Sequence, residues 1–330
     1  MNPTRVLAFA LAALACATPP RREAPVAVWP PGSDRVNARL ESVITGDEAS
    51  HRPWWRSALR LLVGAEEDDG APLLVRPFSV AVAGDALVVA DPDAPALLRF
   101  PRGGAPRPVE CRDHEWAAPM AVAHAPDGTL FVADAGAAVV VRVEPSGACT
   151  LLGRELLERP TGVALGGNLV FVADPPRHVV VALSLDGVER FRIGGRGDGS
   201  ANFNFPTAVA ATPGGELLVV DALNFRISRF DFAGRWLGAF GRRGDEDGGL
   251  ARPKGVAVGE DGRIYVSDAQ RDLILVFSSE GHFQHAIGDT RGTGGWFAMP
   301  SGLAESRGRL FVADSRNHRI AVVELIGGAR

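Results

Sequence analysis

Six aspartates, Asp91, Asp134, Asp174, Asp221, Asp268 and Asp314, recur at intervals of 40 to 47 residues. A ring of carboxylates could hold calcium. Each one, however, ends an apolar stretch just before a turn, where a carboxylate accepts backbone N–H bonds, and repeated units need the same turn. The aspartates are therefore expected to be structural. Other chemistry-bearing residues are sparse. On the apolar stretches that follow six regularly spaced prolines, the titratable side chains are His124, Lys254 and Glu305. A zinc centre needs three or four convergent ligands, so neither a metal site nor a cofactor is expected, and no catalytic residue is assigned. No G-x-S-x-G occurs to mark a nucleophile. Gly195-Arg196-Gly197-Asp198-Gly199 and Gly241-Arg242-Arg243-Gly244 look like phosphate loops. Neither opens a helix, so both are expected to be flexible connections. Lys254 is the single lysine among 35 basic residues, which reads as a base composition favouring Arg codons rather than a functional signal.

The elements that position these residues follow from an internal repeat. The prolines are Pro77, Pro119, Pro160, Pro206, Pro253 and Pro300, spaced by 41 to 47 residues. Ala81, Ala123, Ala164, Ala210, Ala257 and Ala304 stand four residues after them; Leu74, Trp116, Leu157, Phe203, Leu250 and Phe297 stand three before. Each unit reads as four short strands, clearest in Ala208 to Ala211, Leu217 to Val220, Ile227 to Phe230 and Trp236 to Phe240. One such unit cannot bury both faces of its sheet, but six in a closed ring can. The expected fold is all-β, a six-bladed β-propeller of four-stranded antiparallel blades over residues 57–330. The sixth unit lacks an outer strand before the chain ends, and Ala58 to Gly64 align with Trp236 to Gly241, so an N-terminal strand is expected to close the last blade.

Asp314-Ser315-Arg316-Asn317-His318-Arg319-Ile320 resembles the NHL-repeat pattern D-x-x-N-H-R-I in full, and Asp221 to Ile227 nearly so. The resemblance covers about residues 57 to 325. After Asp91, Asp134 and Asp174 the Asn and Arg are missing. Peptide-amidating lyases, which NHL propellers resemble, hold zinc with several channel histidines, and lactonase-like propellers use acidic and amide ligands. The inner strands of this chain supply neither set.

With 330 residues, 46% hydrophobic, and 35 Lys+Arg against 39 Asp+Glu, the chain is globular and has a formal charge of −4, which provides no field for nucleic acid. RNA binding, as in some cytoplasmic NHL proteins, conflicts with that balance and with the N-terminus. There Val6 to Ala15 is an apolar run too short for a membrane span, and it reads as the core of an export signal. Small and aliphatic residues before Cys16 resemble a bacterial lipobox, with Ala13 where Leu is usual. That resemblance implies cleavage after residue 15, lipid attachment at Cys16, a cell-envelope address and, because Ala17 is not Asp, the outer membrane. A plain secretory signal is the alternative. Residues 16–56 are proline-rich and read as a tether. Within them Val36, Leu40, Val43 and Ile44 have the spacing of a short amphipathic helix. Export permits a disulfide between Cys111 and Cys149, but equivalent strands of neighbouring blades are expected to lie too far apart for one.

The leading expectation is a monomeric, non-catalytic module tethered to a membrane and engaging a protein, peptide or glycan. The alternative is a metal-dependent lyase or hydrolase on the same scaffold. Long loops Gly194 to Asn204, Gly241 to Leu250 and Gly288 to Phe297 all emerge on one face, and rigidly mounted loops commonly carry recognition. Trp296 is out of register with the core aromatics and is expected to face solvent, flanked by Arg242, Arg243 and Asn204.

Overall fold

The computed structural model describes residues 28–29, 37–45, 73–102, 104–288 and 296–326. They form six antiparallel blades around a central axis, numbered 1 to 6 by their inner strands Ser79–Ala83, Pro119–His124, Gly162–Gly166, Pro206–Ala211, Pro253–Val258 and Pro300–Ser306. Blade 4 shows the plan, running outward from the axis as Pro206–Ala211, Glu216–Asp221, Arg226–Asp231 and Trp236–Phe240. Second strands such as Ala86–Asp91 and Leu130–Asp134 are buried along their whole length because a neighbouring blade covers each face. The outer strand Trp236–Phe240 instead alternates between half-buried and exposed positions. The apolar clusters lie between blades; Phe171, Val180, Phe203, Val219 and Phe230, for example, join blades 3 and 4. Each fully buried side chain of this size contributes about 1.5–3 kcal/mol, so blade contact supplies most of what holds the ring together.

Strand Ala38–Ile44 closes the ring by pairing antiparallel with Arg319–Leu325, and Val28–Trp29 adds a fifth strand outside it. Closure by an N-terminal strand is therefore correct, but the residues differ from the expectation. Ala58 to Gly64 lie outside the described residues, and the seven residues of helical spacing at Ala38–Ile44 are a strand. An unpaired edge on the last blade outweighs a weak helical period, because each backbone N–H and C=O there gains a partner. Trp29 is buried against Phe297, with near-parallel rings 6.1 Å apart. The segment expected to be only a tether thus contributes to the core.

Cys111 and Cys149 are bonded, with Cα atoms 5.7 Å apart. The expected separation did not apply because these are not equivalent strands. The outer strand of blade 1 is only Arg107–Pro108, and beyond it the chain crosses to the outer strand of blade 2, Cys149–Leu152, packing Val109, Cys111 and Trp116 against the shared core.

Candidate functional site at the mouth of the channel

All six repeat aspartates are fully buried and hold the loop that leads into their own blade. Asp91 accepts the N–H groups of Val75 and Arg76, Asp174 those of Glu158 and Arg159, and Asp268 those of Ala251 and Arg252. Asp134 accepts from Ala117, Ala118 and the His114 ring. Burial opposes its charge, but these donors outweigh burial and hold the carboxyl below its usual pKa. In Asp221 and Asp314 burial wins and the pKa is raised, despite ion pairs to Arg226 at 2.9 Å and Arg319 at 2.7 Å. The Asn and Arg of the D-x-x-N-x-R pattern bind the same carboxylates, Asn224 at 2.7 Å and Asn317 at 2.8 Å. The motif is a loop bracket.

The bracket also settles the glycine-rich segments, which are held rather than loose. Arg226 donates to the carbonyls of Asp198, Gly199 and Asn202, and Arg242–Arg243 pair in parallel with Gly249–Leu250, whose Gly249 carbonyl accepts from Arg271 at 2.6 Å. The four residues expected at the top-face site are dispersed over these loops, and among the described residues no hydrogen bond, ion pair or ring contact joins them. Asn204 donates its backbone N–H to Asp221. Arg242 is exposed and pairs with Glu246, and the Arg243 guanidinium lies 5.1 Å from the centre of the Phe225 ring. Trp296 does not stand free in solvent. Its indole is half-buried and meets Trp29 edge-on at 6.3 Å, because the fifth strand of blade 6 covers it.

The structure brings a different set together. In each inner strand, the second residue after the proline lines the channel mouth and is small: Ser79, Ala121, Gly162, Ala208, Gly255 and Gly302. A Cβ at Gly255 would lie 2.3 Å from the Ser301 carbonyl, so only glycine allows blades 5 and 6 to approach this closely. Bonds run from blade to blade around this layer, including Thr161 Oγ1 to the Thr207 carbonyl at 2.9 Å and Gly302 N to the Phe78 carbonyl at 2.8 Å.

One position nearer the prolines, Phe78, Met120, Thr161, Thr207 and Lys254 also line the channel mouth, whereas the equivalent Ser301 is buried with its hydroxyl on Ser315. With Val80, Val122, Val163, Val209, Val256 and Leu303 one position further along, these residues line a cavity of about 80 Å³ in which Lys254 is the one charged side chain. The Lys254 ammonium lies 4.8 Å from the centre of the Phe78 ring. Among the described residues no carboxylate pairs with it. Burial, and then the nearby guanidiniums of Arg252, Arg76 and Arg316, lower its pKa to about 8. Arg76 and Arg252 occupy the same place in their repeats, immediately before the proline, and Arg316 follows the bracket aspartate of blade 6; all three are exposed. The other two titratable inner-strand residues sit at the opposite ends of their strands. Glu305 is raised by burial while accepting the N–H groups of Glu260 and Gly308, and His124 is lowered by burial and by Arg99. A larger groove of about 360 Å³ lies between blades 6 and 1, where Glu41 pairs with Arg309 and Arg307 with Asp85. Among the described residues no group of three His, Cys, Asp or Glu side chains is placed to hold a metal ion, and no helix is long and apolar enough to cross a membrane.

The fold is a six-bladed β-propeller, and residues 297–323 match the NHL repeat. Several solved propellers are similar in shape. The virginiamycin B lyase of Staphylococcus aureus is 14% identical with a TM-score of 0.58, over 76% of this chain and 96% of that one. A gluconolactonase from Xanthomonas campestris is 17% identical with a TM-score of 0.60, over 76% and 86%. An auxiliary nutrient binding protein from Bacteroides thetaiotaomicron is 11% identical with a TM-score of 0.61, over 76% and 69%. At these identities the likeness is one of fold. No curated protein matches the chain.

Proposed function

We propose that this protein is a non-catalytic binding module of the bacterial cell envelope, anchored through lipid on Cys16, that engages its partner over the face where the bracketed loops surround the channel mouth. The observation that carries this reading is the mouth itself: a small cavity lined by an amine, hydroxyls and apolar side chains, encircled by loops that buried aspartates fix in place. Preorganised loops on a rigid ring lower the entropy cost of binding. A similar fold in a nutrient binding protein is compatible with this reading. Anchoring rests on the apolar run and the small residues before Cys16.

Two experiments test the two parts. Cys16→Ser should release the protein from the membrane fraction of a bacterial host, and unchanged fractionation would refute the anchor. Crosslinking on intact cells should recover a partner with wild-type protein and lose it with an Arg242→Gln, Arg243→Gln variant of unchanged melting temperature. Equal recovery would show that this face is not used.

A further inference from the structure

We infer that the channel mouth is an oxyanion site, in which the Lys254 ammonium and the guanidiniums of Arg76, Arg252 and Arg316 take a carboxylate or phosphate group of the ligand. This deepens the binding reading by naming the chemistry at the same site.

Four cationic groups flank one mouth: Lys254 lines the cavity with its ammonium over the Phe78 ring, Arg76 and Arg252 immediately precede the prolines that lead into Phe78 and Lys254, and Arg316 belongs to blade 6, which lies between blades 5 and 1. Asp93 pairs with Arg76 at 2.6 Å, but among the described residues no acidic side chain pairs with Lys254, Arg252 or Arg316. Like charges gathered without counter-charge repel one another; burial first, and then these three guanidiniums, lower the Lys254 pKa. An anion at the centre converts each repulsion into attraction. The backbone holds the cations in place: Arg76 and Arg252 donate their N–H groups to Asp91 and Asp268, and Arg316 donates its N–H to the Ala298 carbonyl at 3.0 Å.

Size limits what enters. The cavity, about 80 Å³, is small beside the roughly 300–1,000 Å³ of pockets that bury a whole drug-sized ligand, so it suits a single head group such as a carboxylate or phosphate. The remainder of the ligand must stay above the rim, among the loops. Guanidiniums suit planar or tetrahedral oxyanions through forked N–H donors. Phe78 and Met120 line the same cavity, so an apolar carbon next to the oxyanion would also find contact there.

Isothermal titration of the wild-type protein with inorganic phosphate in one arm and galacturonate in the other tests the inference and separates the two sources of the oxyanion. Binding in either arm is expected, weakened at least about tenfold in an Arg76→Gln, Arg252→Gln variant and again in Lys254→Met, with affinity falling as salt rises. No heat from either probe at about 10 mM, or equal binding by the variants, overturns the inference. Either negative result would leave the partner-capture experiment untouched, because that experiment reads the whole face and not the head group.

Discussion

Replacing Lys254 by Met should make the protein more stable at neutral pH. The native chain holds an ammonium in the channel mouth, next to three guanidiniums and without a carboxylate partner, and its pKa falls from 10.5 to about 8. At 1.36 kcal/mol per tenfold change in protonation, that depression amounts to about 3 kcal/mol at pH 7, trimmed towards about 2 kcal/mol where water reaches the half-buried amine. The folded state binds this proton less tightly than the unfolded state. The cost is therefore full below pH 8, fades as pH rises and is largely gone near 10.5. Methionine fills a similar length and keeps the contact with Phe78. Urea denaturation should show Lys254→Met ahead of wild type by roughly 2–3 kcal/mol at pH 7 and by about 1 kcal/mol or less at pH 10. A variant less stable than wild type at pH 7, or an advantage independent of pH, would refute the picture of an uncompensated buried charge. The same substitution removes the proposed ligand contact, the exchange of stability for function expected at a binding site.

Other perturbations have defined outcomes. Trp29→Ala should cost about 3–5 kcal/mol in chemical denaturation, because it empties the pocket between Trp296 and Phe297 at the closing strand; a loss below about 1 kcal/mol would remove Trp29 from the core. Arg226→Met leaves the buried Asp221 carboxylate without its ion pair and should cost about 3–5 kcal/mol at pH 7, with hydrogen exchange accelerated in residues 198–202, whose carbonyls Arg226 holds. Reducing Cys111–Cys149 opens a loop of 38 residues and should cost roughly 4 kcal/mol on the loop-entropy estimate; identical melting with and without reductant would contradict the bond. Anion affinity should fall as pH rises through about 8, as Lys254 loses its proton beside Arg252, Arg316 and the Arg76–Asp93 pair.

The ring was legible in the sequence because two markers keep the same interval, and each marker has a physical duty. The proline opens an inner strand and the aspartate brackets the loop before it. The closing strand was misplaced because one edge strand carries little pattern of its own: Ala38–Ile44 alternates only weakly, with one buried residue in seven. Trp296 was misread because the residue that covers it, Trp29, lies more than 250 positions away in a proline-rich stretch that gave no sign of packing. The disulfide was discounted by treating the blades as equivalent, whereas blade 1 has only a two-residue outer strand. The mouth was missed for a related reason. Lys254 was judged by its rarity instead of its register, although aligning the residues after each proline places it level with Phe78, Met120, Thr161 and Thr207, and aligning those before each proline places Arg76, Arg159 and Arg252 at one position of the repeat.

Because Lys254 is the only lysine in the chain, protein grown with lysine labelled with carbon-13 at Cε gives a single side-chain resonance from the proposed site. Titrating that resonance against pH, alone and with saturating phosphate or galacturonate, measures the site directly. The account predicts a pKa near 8 in the free protein and a rise of at least about one pH unit when the oxyanion binds, since an adjacent negative charge favours the ammonium. A free-protein pKa near that of an exposed lysine, or a resonance unmoved by either anion, would contradict it.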